Sequence, residues 1–133
     1  MKYSKAIVLT VSVASCLMGA AGLMAQSGSL TRTLVGKADV SMPGREAVVA
    51  RVEIAGGGRA GRHTHPGDEI TYVLEGEATL VIDGDRPKVV KAGESFVVPA
   101  GLVHDAHNMT GAPLKVVAVY VVEKGKPLSS PAP

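Results

Sequence analysis

The stretch Gly57-Gly58-Arg59-Ala60-Gly61-Arg62-His63-Thr64-His65-Pro66-Gly67-Asp68-Glu69-Ile70-Thr71-Tyr72-Val73-Leu74-Glu75-Gly76 decides how the rest of the chain is read. His63 and His65 stand two apart, a spacing that puts both imidazoles on one face of a strand. Glu69 follows across Pro66-Gly67-Asp68, and its odd parity returns it to that face once the bend is absorbed. A second stretch, Gly93 to Asn108, turns at Pro99-Ala100-Gly101 and then presents His104. A chain that folds back there brings His104 onto a neighbouring strand, so three imidazoles and one carboxylate converge. This donor set suits one divalent transition ion: Fe, Mn, Ni, Cu or Zn. Bonds of about 2.0–2.2 Å require the four ligands to meet within a small sphere. On a six-coordinate ion they leave two positions for water, substrate or dioxygen.

Outward from these stretches the pattern is strands and turns. Val48, Ala50, Val52 and Ile54 alternate with Val49, Arg51 and Glu53, as in a half-buried strand that ends at Ala55-Gly56-Gly57-Gly58. Glu69 to Leu74 and Glu77 to Ile82 are joined at Glu75-Gly76, and Asp83-Gly84-Asp85 forms the next turn. Lys88 to Lys91, Ser95 to Val98 and Lys115 to Val122 complete the set. No stretch reads as a helix. Short strands punctuated by Gly and Pro predict an all-β sandwich or barrel.

The two stretches resemble the two motifs of the cupin superfamily. Gly57, five residues, His63-Thr64-His65, three residues, Glu69, six residues, Gly76 matches the first. Gly93, five residues, Pro99, one residue, Gly101, two residues, His104, three residues, Asn108 matches the second. The 16 residues between them suit a compact bacterial single-domain cupin. The resemblance implies a jelly-roll (double-stranded β-helix) barrel of six to eight strands. It assigns the metal to His63, His65, Glu69 and His104. Gly57, Gly76, Gly93 and Gly101 then serve the turns, Pro99 stiffens the approach to His104, and Asn108 is a turn or hydrogen-bonding residue.

The neighbours read more plainly. His107 has the wrong parity to join His104. Tyr72, Phe96 and Tyr120, the aromatics of the body, read as core or contact residues rather than substrate stackers. Arg59 and Arg62 flank the histidine strand; solvated loop positions are expected, with an acidic substrate as the alternative. No phosphate-binding loop or nucleophile elbow is present.

The chain has 133 residues, enough for one domain, and a formal charge of +2. Lys2 and Lys5 supply that excess; without them 12 basic residues face 12 acidic ones. Such a body has no electrostatic reason to seek nucleic acid or an anionic membrane. Residues 1–25 read as a secretory signal: a basic start, the apolar run Ala6 to Met18, small residues, then polar Gln26 onward. Cleavage after Ala21 or after Ala25 both fit, and a periplasmic or secreted destination follows. Two alternatives stay open: an uncleaved anchor, since Ala6 to Ala25 is 20 residues, and a lipoprotein modified at Cys16 within Val13-Ala14-Ser15-Cys16. Without lipidation no stable membrane partner is expected. Cys16 is the only cysteine, so the cleaved protein has neither disulfide nor thiolate ligand.

The barrel is expected over residues 31–123. The tail 124–133, with three prolines and two serines among its last seven residues, is expected to be disordered. Lys115 to Val122 is apolar on both faces, and one barrel interior covers only one of them. A homodimer is therefore expected, unless the segment Thr31 to Val40 of the same chain folds over the other. Two function classes remain. One is a metalloenzyme acting on a small organic molecule, a dioxygenase-like oxidoreductase first and a Lewis-acid isomerase second. The other is a noncatalytic small-molecule-binding or metal-sensing module.

Overall fold

The computed structural model describes residues 29–133, so the leader and Cys16 lie outside the described residues. In chain order the strands are β1 (Leu30–Asp39), β2 (Arg45–Ile54), β3 (His63–Thr64), β4 (Gly67–Glu75), β5 (Glu77–Ile82), β6 (Lys88–Lys91), β7 (Ser95–Val98), β8 (His104–His107), β9 (Leu114–Glu123) and β10 (Ser130–Pro131). The described residues contain no helix.

Alternation builds the first sheet. Val48, Ala50, Val52 and Ile54 of β2 are buried, and so are Leu114, Val116, Ala118, Tyr120 and Val122 of β9. The two strands pair antiparallel without a break from Arg45↔Glu123 to Ile54↔Leu114, so buried residues oppose buried residues across the ladder. β1 extends this pair on one side, β4 and β7 on the other, in the order β1-β2-β9-β4-β7. The second sheet has the order β10-β3-β8-β5-β6 and adds Ala78, Leu80 and Val90 to the core. The sheets face each other with the apolar residues between them, a jelly-roll arrangement.

The structure has ten strands where six to eight were implied, because β3 and β10 are two-residue pairings. The bounds of β6 and β7 agree with the sequence reading.

Two expectations are altered. The segment Thr31 to Val40 does not lie across the outer face of β9. It forms β1, paired edge to edge with β2, with a bulge between Leu34 and Gly36. The tail 124–133 is not disordered: Ser130 and Pro131 pair with Thr64 and His63, and the Ala132 amide donates to the Arg62 carbonyl at 3.0 Å. Proline and serine burial is poor, but strand pairing uses the backbone, and Leu128 packs against the core.

The outer face of the first sheet stays apolar. Ile70, Tyr72 and Val97 are exposed beside half-exposed Val117, Val119 and Val121. At the start of β4 a Cβ on Gly67 would collide with the Val121 carbonyl. Only glycine lets β4 begin flush against β9, which sets the position of Glu69 two residues on.

Candidate metal centre

The second sheet delivers most of the cluster. His63 on β3 is the register partner of His104 on β8, and their ring centroids lie 4.3 Å apart. His65 lies just past β3, its ring 4.8 Å from that of His63. Glu69 comes from the opposite sheet, on β4. One ligand atom from each of His63, His65, Glu69 and His104 falls within 4.8 Å of all the others. The structure thus brings together the four residues named from the sequence.

Each imidazole is held by its other nitrogen. Nδ1 of His63 lies 2.6 Å from the Gly61 carbonyl, Nδ1 of His65 2.6 Å from the Leu128 carbonyl, and Nδ1 of His104 3.0 Å from the Leu102 carbonyl. A carbonyl only accepts, so each Nδ1 carries the proton and donates. In the neutral ring Nε2 is then a lone pair, turned to the common centre. Backbone partners of this kind set the tautomer and orientation of metal-ligating histidines.

Nε2 of His65 shows what this arrangement lacks. It is buried and 3.0 Å from Oε2 of Glu69, yet makes no hydrogen bond of acceptable geometry. Two acceptors facing each other inside a protein repel unless a proton or a cation lies between them. The other carboxylate oxygen is satisfied by the Thr71 hydroxyl, which donates to Oε1 at 2.6 Å.

Charge follows from the same contacts. Burial raises the Glu69 pKa, but the facing rings of His104 and His65, which donate to the carboxylate when doubly protonated, and the Thr71 hydroxyl outweigh it and hold the carboxyl well below its usual range. Burial lowers the His104 pKa, but Glu69 and the Leu102 carbonyl outweigh it and leave the ring more basic than usual. For His63 burial prevails, and its pKa is lowered. Tyr120 packs its ring 4.6 Å from that of His65; burial first and then the Glu69 charge push its phenol up to about 12. The donor set, the tautomers and the orphaned nitrogen all fit a divalent transition ion.

Beside the cluster is a cavity of about 40 Å³, lined by Glu69, His63, His104, Tyr120, Phe96, Arg32 and aliphatic side chains from both sheets. At one probe sphere of about 10–15 Å³ per water it holds about three water molecules. Tyr120 and Phe96 therefore line the cavity rather than filling remote core, while Tyr72 is exposed on the outer face.

His107 points away from the cluster, as its parity requires, and Nε2 lies 2.9 Å from Asp105. Asp105 also accepts from the Gly61 amide at 2.8 Å, which steadies the approach to His63. Asn108 donates to the carbonyls of Ile54, Ala55 and Ala112 and accepts from Thr110, tying two loops together. Arg62 forks onto Asp83 at 2.7 and 2.9 Å, and Arg59 is exposed, so neither faces the cavity of the cluster. Arg32 does, and the sequence reading passed over it. The alternation Leu30, Arg32, Leu34 against Thr31 and Thr33 was the available signal.

The comparisons agree with this geometry. The family model described as the cupin domain matches residues 50–120. Germin-like protein 1-1 of Oryza sativa subsp. japonica is 42% identical over 77 residues, which cover 54% of this chain and 36% of that protein. Germin-like protein subfamily 2 member 2 of Arabidopsis thaliana is 39% identical over 77 residues, 54% of this chain and 35% of that protein. The chain thus spans about a third of the length of these curated relatives. Among solved structures, a conserved protein with a double-stranded β-helix domain from Klebsiella pneumoniae superposes with a TM-score of 0.66 at 24% identity, over 80% of this chain and 87% of that one. Recombinant oxalate oxidase in complex with glycolate superposes with a TM-score of 0.64 at 27% identity, over 80% of this chain and 57% of that one.

Proposed function

The chain belongs to the cupin domain family, and from that premise we propose that it is an exported metalloprotein that holds one divalent transition ion through His63, His65, Glu69 and His104 and oxidises a small organic molecule. The observation that carries the metal assignment is the convergence of three Nε2 lone pairs on an ionised carboxylate, each Nδ1 being engaged by a backbone carbonyl. A bound ion of this kind supplies a redox couple or a Lewis acid. The protein's own groups do the rest. The aliphatic lining lowers the local dielectric, the cavity's size restricts the substrate to a few heavy atoms, and neutral Tyr120 keeps a proton beside Glu69. The likeness to an oxalate oxidase structure, at 27% identity, supports placing oxidation ahead of isomerisation.

Elemental analysis of protein purified without metal-affinity resin tests this directly. About one transition ion per chain is expected, and its loss in the double variant His63→Ala with His104→Ala. Stoichiometric metal in that variant would reject the ligand set. Intact mass of exported protein should begin near Gly22 or Gln26, whereas a lipid-modified Cys16 would favour the lipoprotein. A second reading has support in the ligands coming from both sheets: an ion that only cross-links the barrel in a noncatalytic binding module. An ion inert to dioxygen and to small ligands would favour that module.

A further inference from the structure

Arg32 holds a charge that no carboxylate among the described residues pairs with; its neighbour is the Tyr120 side chain. On β1 it is the register partner of Val52, which opposes Val116 on β9, so it belongs to the inward row of the first sheet. Its Nε is buried and has no hydrogen-bond partner among the described residues, and no ion pair of those residues includes it. The guanidinium carbon lies 5.8 Å from the centroid of the Tyr120 ring, whose other neighbour is His65. Glu69 is the only carboxylate lining this cavity, and its oxygens face Thr71, His65 and His104. A buried guanidinium nitrogen without an acceptor is less favourable than an apolar residue at the same place.

Arg32 also stands at a threshold. With His63 it lines both the inner cavity and an outer depression of about 290 Å³, whose rim includes Arg62, Ser129 and Pro131. A molecule entering from that depression meets Arg32 and the least buried histidine of the cluster together.

We propose that Arg32 is the anchor for the carboxylate of a small organic acid, holding it at the mouth of the cavity with its other end toward the His63, His65, Glu69 and His104 cluster. The planar fork of a guanidinium matches a carboxylate with two parallel hydrogen bonds, and the low dielectric of the aliphatic lining strengthens the pairing. The cavity's size selects acids of a few carbons, and a neutral analogue leaves the fork unpaired. The inference rests on the cluster being the centre that substrate approaches.

Calorimetric titration of the full mature chain with glycolate, and with neutral ethylene glycol as control, tests it, on metal-loaded and metal-stripped protein. Wild type should bind glycolate and not ethylene glycol. Arg32→Gln should weaken glycolate about 10- to 100-fold in both forms, keep its metal content and melt no lower than wild type. Arg32→Lys should recover part of the affinity. Unchanged glycolate affinity in Arg32→Gln, or no binding of glycolate to wild type, overturns the anchor. A lower melting temperature with unchanged affinity also overturns it, because Arg32 would then be structural. Protein that carries no ion as purified and takes up none when metal is added, yet loses glycolate on Arg32→Gln, keeps the anchor and rejects the metal reading instead.

Discussion

The two sheets divide the work unequally. The first has long strands, two of ten residues pairing over their whole length, and a buried face that is mostly aliphatic. The second has strands of two to six residues and carries His63 and His104 within it and His65 at its edge. Register on a long ladder is over-determined, because a slip by one residue would expose every core side chain. Short strands lack that protection. The second sheet is positioned by single contacts instead: Asp105 on the Gly61 amide, Asn108 between two loops, and the tail against β3. Most of the apolar core comes from the first sheet, the histidines of the cluster come from the second, and Glu69 is where they meet.

The division can be broken from the first sheet. Leu114 is buried at the start of β9 and is not one of the four cluster residues. Leu114→Ala should cost about 3 kcal/mol by leaving a cavity, with metal stoichiometry unchanged. Denaturant unfolding with metal analysis checks both. Metal loss without loss of stability would reverse the assignment of roles.

Tyr120 sharpens it, being a first-sheet residue that reaches the cluster. Its folded pKa of about 12 lies above the ordinary 10.0. A raised pKa contributes stability that is intact below pH 10 and is lost as pH rises through the folded value. About 2–3 kcal/mol should disappear over that window. Tyr120→Phe should show a flatter alkaline stability curve; equal slopes in both proteins would place the phenol in water.

The tail tests the second sheet. Residues 127–133 contain the Leu128 carbonyl that holds His65 and the β10 pairing with His63. Removing them should weaken metal binding about 10- to 100-fold, while leaving the first sheet and its unfolding transition in place. A competitive chelator titration measures it. Unchanged affinity would show that the tail is ornamental to the site.

The smallest effect belongs to the outer face of the first sheet, which we propose as a dimer contact. Val117→Thr with Val119→Thr should convert a dimer into a monomer in light scattering, with a stability change of at most about 1 kcal/mol per site. A monomeric wild type at micromolar concentration would remove the proposal.

Much of this was legible before any coordinates. Strand periodicity located β5, β6 and β7 to the residue and most of β2, β4 and β9, because two-residue alternation is a local consequence of half burial. The four residues of the cluster were legible because their spacing around Pro66, Gly67, Pro99 and Gly101 is itself local. The tail was misread for a physical reason: composition reports whether side chains can bury themselves, whereas the tail is held through backbone groups, such as the Ala132 amide on the Arg62 carbonyl. Arg32 escaped because its direction depends on the β1–β2 register and on the bulge after Leu34, neither of which alternation alone resolves.

What the sequence determined by itself, then, is the all-β class, the turn positions and which four residues form the cluster, all properties set within a few residues of chain. Only the tertiary structure decided which nitrogen of each histidine is free, that the last residues hold His65, and that a charge on the first strand faces the cavity. Those depend on backbone carbonyls and strand partners distant in sequence. The His65–Leu128 pair, separated by 63 residues, is brought together by the fold alone.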